Sequence, residues 1–166
     1  MSQWRAKRFY TEAHAKETKD GFVISLDGRA LKTPAESPLA LASKKLAEAI
    51  AAEWNAQAET IDPETMPMAR LAATVIDRVV PRRADMVQVT VMFGETDLLC
   101  YRAEEPVELA ARQQALWQPI LDWAAETMDA RMAVTVGVIP VNQPAEASAA
   151  LRRAVEALND FELAGV

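Results

Sequence analysis

The chain has 166 residues, of which 51% are hydrophobic and 25% are charged, and its formal net charge is −6. This length suits one domain or two small ones, and this composition excludes intrinsic disorder as the main state. The acidic charge is concentrated in residues 61–166, which carry nine basic and sixteen acidic side chains, and such a surface argues against nucleic acid and anionic membranes as main partners.

The single cysteine, Cys100, cannot form an internal disulfide, which is typical of proteins from a reducing compartment. The first ten residues, MSQWRAKRFY, contain no apolar core of a signal peptide. The longest uncharged apolar run, residues 132–141, is about half as long as a membrane helix. We therefore expect a soluble, cytoplasmic protein without membrane insertion.

The first third of the sequence predicts β-structure. The dipeptides Asp20-Gly21 and Asp27-Gly28 accept the positive φ angles of two-residue hairpin turns. Together with a strand over about residues 8–16, they predict a three-stranded antiparallel meander.

The second of these turns also predicts a register. If Leu26 pairs with Arg29 across it, Phe22 lies opposite Thr33 in the ladder. The prolines that follow then end the sheet.

From Ser43 onward the spacing of apolar residues becomes helical. Ser43 is a candidate N-cap, and Leu46, Ile50 and Trp54 form one stripe with a spacing of four residues. A second start signal at residues 62–64 precedes the clearest amphipathic helix, with Pro67 expected to delay its regular part.

The C-terminal half predicts further helices. Residues 82–93 alternate like a strand but also fit a helix, and we favour the helix because Pro81 suits its first turn and Gly94 its exit. Residues 132–138 alternate as a strand, and Pro144 opens a last helix. A long helix from Pro106 to about Met128 is predicted to contain Pro119 and to face inward with Leu109, Leu116, Trp117, Ile120, Leu121, Ala124 and Met128.

These elements predict an α+β fold in two parts. A β-rich N-terminal domain, an antiparallel meander with a helix, is expected over residues 1–61, and a mainly α-helical C-terminal domain over residues 62–166. The sequence closes on the apolar stretch FELAGV, whereas mature domains more often end in polar residues. We therefore expect the C-terminal domain to be truncated.

The segment GETDLLCYR at residues 94–102 gathers the residue types of an active site. A nucleophile pair of Cys100 with His14 is formally open, but the apolar neighbours of Cys100 favour a buried, inert thiol. The acids Glu95 and Asp97 are more typical of caps than of general acid and base groups. The segment therefore does not predict an enzyme, and we expect no catalytic residues.

Metal and nucleotide sites are not predicted either. One histidine and one cysteine are too few for a zinc site, and the five glycines form neither a P-loop nor a Gly-x-Gly-x-x-Gly motif. We therefore expect no metal, no cofactor and no small-molecule substrate. The tryptophans and methionines on the predicted helices instead favour a protein that binds other proteins.

Four segments in order resemble one known family: LDGRALKTP at 26–34, AAEWNAQAETIDPETMPMARLAATVIDRV at 51–79, GETDLLCYRAEEP at 94–106, and the W-x-P-x-x-D-W pattern from Trp117 to Trp123. They are similar to signatures of the F1-ATPase assembly chaperones that receive the alpha subunit, the Atp-twelve family. Members of that family continue beyond the stretch that resembles Asp160 to Ala164, which agrees with the expected truncation.

The resemblance implies a bacterial, cytoplasmic chaperone, with family counterparts in the mitochondrial matrix. It implies binding of unassembled F1 alpha subunit, whose apolar subunit interface it shields until beta subunit replaces it. A generic helical adaptor, or less readily a small cofactor-free enzyme around Cys100, stays open as an alternative. The residues that we expect to serve structure or client binding are Trp54, Glu53, Arg70, Asp97, Tyr101, Arg102, Trp117 and Trp123.

Overall fold

The computed structural model describes residues 6–166. The first half of the MSQWRAKRFY segment, and with it the start of the predicted N-terminal domain, lies outside the described residues. The chain divides into two compact units, which we call unit 1, up to Pro81, and unit 2, from Arg82. The domain boundary predicted after residue 61 stays a prediction.

Within the described residues, unit 1 contains a four-stranded antiparallel sheet around a central strand, β2. β1 begins at Ala13, later than the predicted start near residue 8. The turn Asp27–Gly28 has φ angles of 46° and 88°, as a two-residue hairpin turn requires, and Leu26 pairs with Arg29 as predicted. The strands are β1 Ala13–Thr18, β2 Gly21–Leu26, β3 Arg29–Ala30 and β4 Ala40–Leu41.

The late start of β1 follows from the hydrogen bonds of Asp27. The backbone N–H of Thr11 donates to one carboxylate oxygen of Asp27 at 2.7 Å, and that of Glu12 donates to the other at 3.0 Å. These two donors are thereby engaged by the turn rather than by a neighbouring strand. Both hydrogen bonds favour the ionised form and hold the pKa of Asp27 below its ordinary value.

Two other details of the predicted meander are wrong. β3 has only two residues, so Phe22 lies opposite Leu41 of β4 rather than opposite Thr33. A tight loop causes this, because the backbone N–H of Thr33 donates to the carbonyl of Ser37 and not to β2. Gly21 is the first residue of β2 rather than a turn residue, with φ of 117° and space for no Cβ beside the Leu41 carbonyl.

The first helix, α1 Lys44–Asn55, packs against β1 and β2. Ser43 caps it as predicted, since its hydroxyl accepts the backbone N–H of Leu46 at 3.2 Å. Leu46 and Trp54, which we expected on the inward stripe, are half-buried. The fully buried residues of α1 are Ala47, Ile50 and Ala51.

The second helical run of unit 1 begins in steps. Asp62 caps a short 3₁₀ turn, Pro63–Thr65, with its side chain. The regular helix α2, Pro67–Thr74, starts at the proline that was predicted to delay it. It continues as a π-helical turn, Val75–Val79, and a 3₁₀ turn, Val80–Arg82.

Unit 2 is mainly helical in the part of the chain that the structure describes. Its first segment is the helix predicted in preference to a strand, and the predicted long helix with an internal proline is also present. The elements are α3 Arg83–Glu95, a 3₁₀ turn Leu98–Cys100, β5 Tyr101–Arg102, α4 Val107–Met128, β6 Thr135–Val136, α5 Ala145–Ala157 and α6 Asp160–Leu163.

The core of unit 2 is built on α3 and α5. Ala124 of α4, Ala130 and Ala150 of α5 form a buried cluster on which Met128 and Leu151 pack. The guanidinium of Arg83 ties the start of α3 to the end of α5 and to α6, since it donates to the carboxylate of Asp160 at 2.6 Å and to the carbonyls of Glu156 and Leu158.

The face of α4 differs from the prediction. Leu121 and Ala124 are buried as expected, whereas Leu109, Leu116 and Ile120 are between 43% and 58% exposed. The predicted strand at residues 132–138 is reduced to β6, which pairs in parallel with β5. The fold as a whole is α+β, with antiparallel strands followed by a mostly helical part, as predicted.

Candidate functional site

A cavity of about 300 Å³ opens on unit 1 between the β3–β4 loop, the end of α1 and the start of α2. Its lining is almost wholly apolar and includes Leu31, Leu39, Ile61 and Met66. Trp54, at the end of α1, also lines it. An apolar concavity of this kind is the usual form of a binding site.

Trp54 is held in place from its other side. Its ring meets the ring of Tyr10 edge-on, with centroids 5.5 Å apart, and the hydroxyl of Tyr10 donates to the carbonyl of Trp54 at 2.6 Å. Burial raises the pKa of Tyr10, against the lowering effect of the Arg8 guanidinium. The indole Nε1 of Trp54 is buried and has no acceptor among residues 6–166, so the wall of the cavity contains an unsatisfied donor.

Glu53 connects α1 to α2 through its carboxylate. Its two carboxylate oxygens accept the backbone N–H groups of Met68 and Ala69, each at 2.8 Å. Those N–H groups belong to the first turn of α2, where an anion is favoured by the helix dipole and by the unpaired donors. Glu53 thus joins α1 to α2 and fixes the side of the cavity.

A second cavity of about 240 Å³ adjoins the first, with Pro34, Arg70 and Ala73 common to both linings. It is more polar and is lined in addition by Thr74, Asp77 and Arg78. Arg70 pairs at the surface with Glu64, at 3.1 Å.

Asp77 is engaged by the loop beside this second cavity. Its carboxylate accepts the hydroxyl of Thr33 at 2.5 Å and the backbone N–H of Ala35 at 3.1 Å. It therefore anchors the Thr33-Pro34 turn on the helical run that contains Arg70.

The segment GETDLLCYR of unit 2 is a structural turn. The carboxylate of Asp97 caps the 3₁₀ turn by accepting the backbone N–H of Leu99 at 2.8 Å. Cys100 is fully buried, and its burial, followed by the negative charge of Asp97, raises the pKa of the thiol. Cys100 is thus buried, as predicted, and its burial disfavours the thiolate form.

Arg102 is buried under α4 although it is charged. Its guanidinium donates to the carbonyl of Leu99 and to the side chain of Gln118, and it lies 5.5 Å from the ring centroid of Trp117. Tyr101, beside it in β5, is half-buried and pairs with Thr135. These residues of the predicted set thus support the fold of unit 2.

Trp123 is the exposed tryptophan of the predicted set. It is 55% exposed and shares the outer face of α4 with Leu116 and Ile120, at helical spacing. We call Leu109, Leu116, Ile120 and Trp123 the α4 face.

The residues of a Cys100 enzyme do not converge on the cavity beside this segment in the described part of the chain. Neither Cys100 nor Glu95 lines this cavity, whose lining residues are Thr90, Val91, Phe93, Gly94, Asp97, Leu151, Val155 and Val166. In the part of the chain that the structure describes, no cluster of His, Cys, Asp and Glu side chains suits a metal ion. Across residues 6–166, no helix is long and apolar enough to span a membrane.

The sequence analysis selected Trp54 and Arg70 as candidate site residues. It did not select the residue that lines the second cavity with Arg70, or the two that hold the loop beside it. Arg78, Thr33 and Asp77 were missed because a loop residue and a residue of the helical run forty-four positions later meet only in the folded chain. The one signal available was Thr33-Pro34 itself, a turn dipeptide placed after a strand.

A comparison with protein families identifies the class to which these units belong. Residues 7–125 match the family described as ATP12 chaperone protein. The chain therefore belongs to the ATP12 chaperone family, and the resemblance seen in the sequence is confirmed.

Solved structures agree with this assignment. The chain is similar to Atp12 from Paracoccus denitrificans, with 40% sequence identity and a TM-score of 0.90, over 96% of this chain and 68% of that one. A point mutant of the same P. denitrificans protein matches equally well. The Atu1473 protein of Agrobacterium tumefaciens is 38% identical, with a TM-score of 0.85, over 96% of this chain and 60% of that one.

Proposed function

We propose that this protein is an assembly chaperone for the F1 sector of ATP synthase. It binds unassembled alpha subunit in the cytoplasm and shields the apolar subunit interface until beta subunit replaces it. The observation that carries the proposal is the family match over residues 7–125.

The physical argument concerns the client. Interfaces of permanent complexes are large and hydrophobic, so a lone subunit exposes a patch that drives aggregation. A chaperone lowers that tendency by covering part of the patch with apolar surface of its own. The α4 face, which exposes leucine, isoleucine and tryptophan side chains, is of the type enriched in protein-binding surfaces.

Release requires no fuel in this scheme. Beta subunit buries more of the alpha interface than the chaperone does, so it displaces the chaperone by competition. The chaperone must therefore bind alpha more weakly than beta binds it, and it has no need of a nucleotide or metal.

Light scattering during refolding tests the proposal. Alpha subunit is refolded with and without an equal concentration of the protein, and beta subunit is refolded in parallel as a control. Without added ATP, we expect the protein to suppress the scattering of alpha subunit but not that of beta subunit. Equal protection of both subunits would favour a generic helical adaptor, and no protection of alpha would refute the chaperone function.

The alternative of an enzyme around Cys100 has its own test. A thiol reagent should label Cys100 slowly in the native protein and rapidly after denaturation, because the thiol is fully buried. Rapid labelling of the native protein at neutral pH would indicate an accessible thiolate and would support the enzyme.

A further inference from the structure

The two adjoining cavities of unit 1 form one groove, which we call the Arg70 groove because Arg70 lies where they meet, together with Pro34 and Ala73. One end is apolar and contains Trp54. The other end is lined by Arg70 and Arg78, together with Asp77. The groove thus places an apolar surface next to two positively charged side chains.

The charge of the polar end opposes that of the whole chain, whose net charge is −6. Asp77 is the acid of this lining, and both of its oxygens already accept hydrogen bonds from the loop at Thr33 and Ala35. Among the described residues Arg78 makes no hydrogen bond or ion pair, and Arg70 has only the exposed pair with Glu64. The guanidinium of Arg78 is therefore available to an anion, and that of Arg70 can exchange its exposed partner Glu64 for one.

We infer that the Arg70 groove docks a segment of the client in which an apolar side chain lies next to a carboxylate. The apolar side chain occupies the Trp54 end, and the carboxylate pairs with Arg70 and Arg78. The inference rests on the proposed function, which supplies a protein client, and adds the chemistry by which one segment of that client is recognised.

The dimensions of the groove favour a side chain of a protein over a larger ligand. Its apolar end, about 300 Å³, is at the lower limit of the range of about 300–1,000 Å³ for ligand pockets. The planar guanidinium groups at the other end suit a carboxylate, to which arginine binds in bidentate fashion.

Charge reversal tests the polar end. The full chain carrying Arg70→Glu and Arg78→Glu is titrated with purified F1 alpha subunit by calorimetry, at low and at high salt. We expect binding about tenfold weaker than for the wild type, with less dependence on salt. The matched control carries Lys16→Glu and Arg29→Glu, two exposed residues of the sheet that lie outside the groove and give the same change in net charge, and it should bind as the wild type does.

Filling the groove tests the apolar end. Ala73 lines both cavities, so Ala73→Leu should block docking, whereas Ala52→Leu on the exposed side of α1 should not. Thermal melting shows whether each variant is folded. If Ala73→Leu melts early, the charge-reversal pair decides the matter, because Arg70 and Arg78 are exposed.

The outcomes separate the two proposals. If the wild type does not bind alpha subunit, the proposed function fails and this inference fails with it. If the wild type and the Arg70→Glu, Arg78→Glu variant bind alpha equally, only the inference fails. A wild-type dimer in size-exclusion chromatography that is lost in that variant would assign the groove to a second copy of the chain and would also overturn the inference.

Discussion

Trp54 connects three parts of unit 1 through one side chain and one carbonyl. Its ring packs against Tyr10, its carbonyl accepts the hydroxyl of Tyr10, and its ring lines the apolar end of the Arg70 groove. The sequence analysis placed Trp54 among the residues that serve structure or client binding, and the partner of Trp54 in these contacts is Tyr10, which precedes β1. Client contact by Trp54 stays a prediction.

Truncation of Trp54 should be costly. We expect Trp54→Ala to lower the free energy of unfolding by about 3 kcal/mol, at the low end for large aromatic residues because the side chain is only half-buried. Trp54→Arg should be worse, since it places a charge beside apolar neighbours. Urea denaturation of both variants measures this, with Trp123→Ala on the exposed α4 face as the control. A wild-type midpoint for Trp54→Arg would contradict the packing described here.

Asp27 makes the stability of unit 1 depend on pH in the acidic range. The N–H groups of Thr11 and Glu12 hold the folded pKa of Asp27 below its ordinary value of 3.8, whereas the unfolded chain lacks these hydrogen bonds. Asp27 therefore contributes stability above the unfolded pKa, and this contribution is lost as the pH falls through the folded pKa.

Asp27→Asn should accordingly flatten the fall in stability below a pH of about 4. Asparagine tolerates the left-handed conformation of residue 27, so the turn is kept. The measurement is the thermal midpoint as a function of pH, compared with Asp20→Asn in the other turn. An acid limb as steep in Asp27→Asn as in the wild type would show that Asp27 is not responsible.

At the scale of elements, α2 depends on a residue of α1. The regular part of α2 starts at Pro67, and its first free N–H groups, those of Met68 and Ala69, are satisfied by Glu53. The N-cap residue of α2 itself makes no side-chain hydrogen bond to these N–H groups. The stability of α2 is therefore coupled to the packing of α1.

Glu53→Ala should lower the free energy of unfolding by about 1–2 kcal/mol, the usual loss when a helix N-terminus loses its cap. Glu53→Gln is the matched variant, because it keeps an oxygen acceptor while it removes the charge, and we expect a smaller loss. Hydrogen exchange of the Met68 and Ala69 amides in both variants shows where the loss arises. Unchanged exchange of these amides in Glu53→Ala would contradict the assignment.

Local signals decided which elements were predictable. Ser43 as a cap and Asp27–Gly28 as a turn act through their own backbone neighbours, and both are found as predicted. Pro67, which was expected to delay the regular helix, is the first residue of α2. Phe22 was placed opposite the wrong residue because the loop at Thr33 ends β3 early and brings Leu41 of β4 against Phe22, and the alternating pattern of β2 does not reveal that loop.

The candidate site was predictable only in part, for the same reason. Trp54 and Arg70 stood out by residue type and by the family resemblance, but the Arg70 groove needs the loop that Asp77 holds through Thr33. On α4, periodicity identified the apolar positions, and Leu121 and Ala124 among them are buried. It did not show whether other parts of the chain cover that stripe, and Leu116 was therefore placed inside although it is 58% exposed.

At the scale of the whole molecule, the α4 face is apolar surface in contact with solvent. Polar replacement should therefore cost little stability, as exposed positions usually do. We expect Leu116→Gln with Ile120→Gln to change the free energy of unfolding by less than about 1 kcal/mol and to reduce binding of a hydrophobic dye. Leu121→Gln on the buried side of the same helix is the control and should be strongly destabilising. A large loss for the exposed pair would show that the face is covered in the working protein.

The hydrogen bonds of Arg8 have a consequence for biosynthesis. Its guanidinium donates to the carbonyls of Tyr10 and Thr11 nearby, and to that of Gln57, which lies forty-nine residues later. During translation, all residues of the β1–β2 hairpin leave the ribosome before Gln57 does, and closing its short loop is fast. The hydrogen bond from Arg8 to Gln57 forms only after Gln57 has left the ribosome. Until then, the nascent unit 1 lacks this link between its first described residues and the end of α1.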